Sequence, residues 1–132
     1  ASAADEKALF DKLGDIVSRT HYQTAFVGNQ DAPGKVDLAR FMLSELKLTK
    51  DDYVVLKVDI EGGEWSLIPH LLESGAMDVV SELLIEVHYQ HPDMHEFGWS
   101  RDSGRHFTWT LDEAQQMLVD LRKRGVHAVP WP

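Results

Sequence analysis

The sequence predicts an α/β fold with a mostly parallel sheet and flanking helices. Residues 53–60 are almost continuously apolar, with Lys57 as the one interruption before Asp59. Residues 81–89 form a second strong strand pattern, with few polar interruptions until Glu86 and His88. Such runs are typical of parallel strands that are covered on both faces. A helical segment separates them, so the three pieces predict a βαβ unit, which should be right-handed.

Two helices and a short strand are predicted before residue 53. Apolar residues recur at helical spacing over residues 5–19 and predict an amphipathic helix. Residues 21–28 contain several β-formers and predict a short strand, whereas residues 29–35 are dense in turn residues and predict a loop. Asp37 can then cap a helix that ends near residues 49–52.

The helix of the βαβ unit is predicted to begin near Gly62 and to stop at Gly75. Pro69 should kink or restart this helix, because proline lacks the amide proton and crowds the preceding turn.

The C-terminal part of the chain predicts one more helix and one more strand. Thr110 and Glu113 match a capping box, and residues 122–125 suit the end of the helix that follows. Residues 126–132 predict a short strand at a sheet edge, where their prolines are tolerated.

Residues 89–109 show neither helical nor strand periodicity and predict a long loop at the active edge of the domain. A loop of this length is usually functional or disordered, and its aromatic residues argue against simple disorder. Phe97, Trp99 and Trp109 form either a lid or a small core, and we prefer the second interpretation. His95 and His106 lie in the same loop, without a spacing that requires them at a site.

Size and composition favour one domain over residues 1–132 and exclude several functions. The chain has no cysteine, which excludes disulfides, thiolate metal sites and cysteine nucleophiles. Its net charge of −9 repels a phosphate backbone, so nucleic acid is not an expected partner. No apolar run reaches the roughly 20 residues that span a bilayer. We therefore expect a soluble chain. Its first residues are small, and we interpret them either as what remains after removal of a transit peptide, which would give an organellar location, or as a remainder of cloning.

Four polar side chains are predicted to meet at one edge of the sheet. Asp59 and Glu61 leave the carboxyl end of the first strand, and Glu86 and His88 leave the end of the second. In open α/β sheets, ligands bind beyond the carboxyl ends of the strands. These four residues are therefore the candidate catalytic residues.

Three interpretations of these residues remain open. In the structural one, Asp59 or Glu61 caps the helix, Glu64 favours its first turn and Glu86 pairs with Lys57. In the second, Asp59, Glu86 or His88 acts as a general base. In the third, a divalent cation such as magnesium, manganese or zinc is bound by Asp59, Glu86 and His88, together with His91.

The segments "LKVDIEGGEWSLIPHLL" and "LLIEVHY" resemble the FkbM-type family of S-adenosylmethionine-dependent methyltransferases. The match to the family signature is Lys57, Asp59, Glu61, Gly62 and Glu64, followed by Glu86 and His88 on the next strand. The resemblance implies a Rossmann-like methyltransferase fold and methyl transfer to a hydroxyl of a sugar, glycan or small metabolite.

The resemblance also implies parts that this chain does not show. In the family, a glycine-rich turn after the first strand and an acid ending the second hold the cofactor, and neither is visible before residue 53. We therefore expect the later half of such a domain, lacking the first strands, with an exposed sheet edge beside residues 54–58 that the N-terminal segment or a protein partner covers. Two functions follow as hypotheses: an enzyme or its acceptor-side part, and an inert structural subunit of a larger assembly.

Overall fold

The protein is an α/β protein with two small, all-parallel sheets. Its structure is a computed structural model that describes residues 3–90 and 108–131, with the backbone alone over residues 3–10. Its helices are α1 (Ala3–Ser18), α2 (Leu38–Arg40), α3 (Glu64–Glu73) and α4 (Leu111–Lys123). Its strands are β1 (Phe26–Gly28), β2 (Lys35–Asp37), β3 (Val55–Val58), β4 (Glu82–Ile85) and β5 (Ala128–Pro130). A π-helical turn, Phe41–Glu45, continues α2, and a 3₁₀ turn, Ala76–Val79, precedes β4.

The larger sheet has the order β3-β4-β5, and both strand pairs are parallel. The prediction of two adjacent parallel strands joined by a helix is confirmed, although β4 ends at Ile85 and leaves out residues 86–87 of the predicted strand over residues 83–87. Val58 pairs with Ile85, and Ile85 pairs with Pro130, so the carboxyl ends of all three strands lie side by side. The edge strand predicted over residues 126–132 is also confirmed as β5, next to β4.

The core lies on one face of this sheet. The inward positions of the strands are buried together with apolar residues of α3 and α4: Val58, Leu83, Ile85, Ala128, Leu67, Ile68, Leu71 and Leu121. The prediction that both faces of the first strand are covered is wrong for the described residues, because Val55 is 52% exposed and Lys57 is also exposed. The strand length suited a doubly covered strand, but only one face meets helices in the described part of the chain.

Among the described residues, β3 has a neighbouring strand on one side only, which is β4. The smaller sheet does not extend it, since β1 pairs with β2 alone. Sequence analysis missed β2, because three residues that follow a turn give no readable period. Within the described ranges, no helix is both long and apolar enough to cross a membrane.

The helix predictions hold with two corrections, which concern Pro69 and the helix capped by Asp37: the latter ends with the π-helical turn at Glu45 and not near residues 49–52. The capping box of α4 is present: the Thr110 hydroxyl accepts from the Glu113 amide at 3.3 Å, and the Glu113 carboxylate accepts from the Thr110 amide at 2.7 Å. Helix α3 ends before Gly75, whose φ of 80° suits glycine. Pro69 does not restart α3, which runs through it to Glu73.

Candidate functional site at the carboxyl ends of β3 and β4

A tight turn joins β3 to α3 and contains two consecutive residues with left-handed backbone. Gly62 has φ 93°, which glycine adopts freely, but Glu61 has φ 56°. A non-glycine residue in this conformation costs about 1–3 kcal/mol, and such residues cluster at functional sites. The turn places Glu61 above the strand ends and Glu64 at the start of α3.

Glu64 is fully buried and binds His88. One oxygen, Oε1, accepts a hydrogen bond from the His88 amide at 2.7 Å and lies 2.5 Å from His88 Nδ1. The other oxygen, Oε2, accepts from the Gly62 amide at 3.0 Å. A buried carboxylate is tolerated only when it is paired and hydrogen-bonded, and these contacts meet that requirement.

The ionisation of this pair follows from its contacts. The hydrogen bond to Glu64 raises the pKa of His88 against the effect of burial, and the nearby carboxylates of Glu61 and Glu86 add to the rise. Burial acts to raise the pKa of Glu64, but the hydrogen bonds from the His88 ring and amide outweigh it and lower that pKa. The two shifts favour an ion pair.

We expect the pair to stabilise the protein most between pH 4.5 and 6.5, the ordinary values of the two groups. The contribution of His88 is fully present below pH 6.5 and is lost as the pH rises through its raised pKa. The contribution of Glu64 is present above pH 4.5 and is lost as the pH falls through its lowered pKa. Urea unfolding of wild type and His88→Gln at several pH values measures this, and a stability difference that does not change with pH would contradict it.

The Nε2 atom of His88 faces the acidic end of the site. A carboxylate can only accept, so the contact with Glu64 requires a proton on Nδ1, and the neutral ring then offers a lone pair at Nε2. Nε2 lies 3.6 Å from Glu61 Oε2 and 3.7 Å from Glu86 Oε1. Glu64 thus fixes the orientation of His88 in both protonation states. A cation at Nε2 would require the neutral ring, so it would replace the proton that Nε2 carries in the ion pair, and the contact with Glu64 selects the tautomer of that neutral ring.

Asp59, Glu61 and His88 each place one potential ligand atom within 4.8 Å of the other two. Oxygen and imidazole donors in this number suit magnesium, manganese or zinc. The sequence predicted Asp59, Glu86, His88 and His91 as ligands. Asp59 and His88 belong to the observed group, Glu86 lies beside it, and His91 is outside the described residues. Glu61 takes the position that sequence analysis gave to Glu86.

Two tryptophans hold the backbone of His88 in place. Trp65 donates from Nε1 to the His88 carbonyl at 2.7 Å and stacks on Trp109, with ring centroids 4.7 Å apart. The Gln90 amide donates to the Trp109 carbonyl at 2.7 Å, which joins the two ends of the long loop. Trp109 packs against α3, and the predicted small core that joins it to Phe97 and Trp99 stays a prediction. The other candidate residues of the loop lie outside the described ranges: His91, His95, Phe97, Trp99 and His106.

The structural interpretation of the acids is wrong in two respects. The N-cap of α3 is Gly63, with no side-chain cap, so neither Asp59 nor Glu61 caps the helix. Lys57 pairs with Asp59, at 3.6 Å, rather than with Glu86. The burial of Glu64 against a histidine 24 positions away was missed, because no local pattern reports it.

A scan of family models and searches of curated proteins and solved structures found no match to this chain. The described residues also do not form a cradle for S-adenosylmethionine. Such a cradle needs a glycine turn between a strand and a helix, whereas Gly28 ends β1 and a loop leads from it into the parallel strand β2. After β3, Gly62 donates its amide to Glu64 instead.

Proposed function

We propose that this chain is the acceptor-binding part of an FkbM-type O-methyltransferase, and that Asp59, Glu61 and His88 hold a divalent cation that orients the acceptor hydroxyl. The proposal joins the sequence signature to one observation: the three potential ligand atoms lie within 4.8 Å of one another beyond the strand ends. In open α/β sheets this is where ligands bind.

Each residue of the site has a separate task in this proposal. Glu64 is a positioning residue, since it touches His88 and keeps the Nε2 lone pair aimed at the site. The cation supplies positive charge that polarises a bound hydroxyl. Glu86 lies 3.7 Å from His88 Nε2 and is partly exposed, so it accepts the proton of the acceptor hydroxyl.

S-adenosylmethionine enters the proposal only as the methyl donor of the resembled family. The described residues do not fit it, so no residue of this chain is assigned to it. The same observation favours a second candidate, an inert methyltransferase-derived subunit that uses the fold as a scaffold and binds a protein partner along the open edge of β3.

Calorimetric titration with Mn²⁺ and Mg²⁺ tests the cation site. We expect Asp59→Asn to abolish measurable binding, because it removes a charged ligand. We expect Glu64→Gln to weaken cation binding by roughly 10–100-fold, because Glu64 is not a ligand itself but orients the ligand His88.

The matched control is Asp78→Asn, an exposed aspartate outside the site, which should bind as the wild type does. Equal affinity in wild type and Asp59→Asn would remove the cation from the proposal, and absence of binding in the wild type would favour the scaffold.

A further inference from the structure

A cavity of about 510 Å³ lies beside the site, between α4 and the carboxyl ends of β4 and β5. Most of its lining is apolar, and the residues that matter here are Ile85, Val87, Tyr89, Ala114, Leu118 and Trp131. We call it the α4 cavity. Its volume and lining are those of small-molecule sites, which combine apolar walls with few polar groups.

Glu86 lines the α4 cavity and lies beside the candidate cation site. Its Oε1 atom lies 3.7 Å from His88 Nε2. Tyr89, one residue after His88, also lines the cavity. A molecule in the α4 cavity therefore lies next to the carboxylate to which we assign proton removal.

The charge around this junction disfavours an anionic molecule. Four carboxylates lie at the strand ends, those of Asp59, Glu61, Glu64 and Glu86. The cations paired with them among the described residues are Lys57 and, when it is protonated, His88. One divalent cation together with Lys57 leaves the group negative. The described cavity lining adds neither lysine nor arginine. The cation beside it, Lys57 over the Trp131 ring, is already paired with Asp59, so a phosphate or carboxylate there meets more negative than positive charge.

Two aromatic side chains suit a ring-shaped occupant. Trp131 is anchored by its amide, which donates to the Ile85 carbonyl at 2.8 Å, and the Lys57 ammonium lies 5.3 Å from its ring centroid. Tyr89 and Trp131 both offer large, rigid contact surfaces with a polar tip.

We infer that the α4 cavity binds the non-reacting body of an uncharged, hydroxylated ring compound, such as a glycoside with an apolar aglycone, and presents its hydroxyl to Glu86. This inference rests on the proposed function, whose acceptor it specifies. It disfavours phosphorylated acceptors, because the acids at the strand ends outnumber the cations described beside them.

Saturation-transfer NMR and tryptophan fluorescence with two probes test the inference in the full chain, without added metal. The neutral probe is 4-nitrophenyl β-D-glucopyranoside and its charged counterpart is 4-nitrophenyl phosphate. We expect the glucoside to bind and the phosphate not to bind. Gln115→Trp narrows the cavity from an exposed position and should weaken glucoside binding about tenfold or more, equivalent to about 1.4 kcal/mol.

The matched control is Gln116→Trp, which adds the same side chain one position along α4, outside the described lining, and should leave glucoside binding unchanged. Equal weakening by both variants, no glucoside binding by wild type, or tighter binding of the phosphate would each overturn the inference. Mn²⁺ titration is measured in a separate experiment. A failed cation site is seen as absence of Mn²⁺ binding, and a failed cavity site is seen as absence of glucoside binding.

Discussion

Replacing Glu64 by glutamine is expected to lower the free energy of unfolding by about 3–5 kcal/mol, the usual cost of breaking a buried ion pair. Three N–H groups converge on this carboxylate, two from His88 and one from Gly62. A glutamine amide has one acceptor oxygen and one donor group, so in either orientation its NH₂ faces a buried N–H. The neighbouring groups then lose hydrogen bonds that no water replaces.

Urea unfolding of Glu64→Gln against Glu73→Gln measures this effect. Glu73 ends the same helix and is exposed, so its replacement should change the unfolding free energy by no more than about 0.5 kcal/mol. A loss below about 1 kcal/mol in Glu64→Gln would show that the pair with His88 is not the main stabilising contact of the turn.

The chain of 132 residues is expected to bind S-adenosylmethionine more weakly than millimolar on its own. The cofactor needs close backbone approach at a glycine turn and an acid for its ribose hydroxyls. The described residues place Gly28 between two strands instead, and the edge of β3 carries no further strand there.

Isothermal titration with the cofactor checks this expectation. Micromolar binding by the chain alone would refute it and would assign the whole methyl-transfer reaction to this chain. Absence of binding, with Mn²⁺ binding retained, would fit the acceptor-binding part, whereas absence of both would fit the scaffold.

The order of elements around the site could be predicted because each has a local cause. Apolar runs fixed β3 and β4, and the Thr110–Glu113 box fixed the start of α4. Parallel strands bring their carboxyl ends to one edge, which was enough to place Asp59 and His88 together.

The parts that could not be predicted depend on contacts between distant residues or on backbone strain. Glu64 is acidic and opens a helix, so its sequence position suggests a solvated first turn, yet α3 packs it beneath His88. Glu61 takes a left-handed conformation that sequence assigns to glycine or asparagine, and this conformation decides that Glu61 joins His88. The open face of β3 likewise depends on where helices pack, which an apolar run does not specify.

Nuclear magnetic resonance with substoichiometric Mn²⁺ tests the central claim most directly, because the paramagnetic ion broadens amide signals near its binding site. We predict that signals of residues 59–64 and 86–89 broaden first, and that Asp59→Asn removes this effect. A second acidic group, in which Asp31 and Glu45 pair with Arg40, provides an internal comparison and should broaden only at higher Mn²⁺. Broadening centred on that group, or spread evenly over the acidic surface, would contradict a cation site at the ends of β3 and β4.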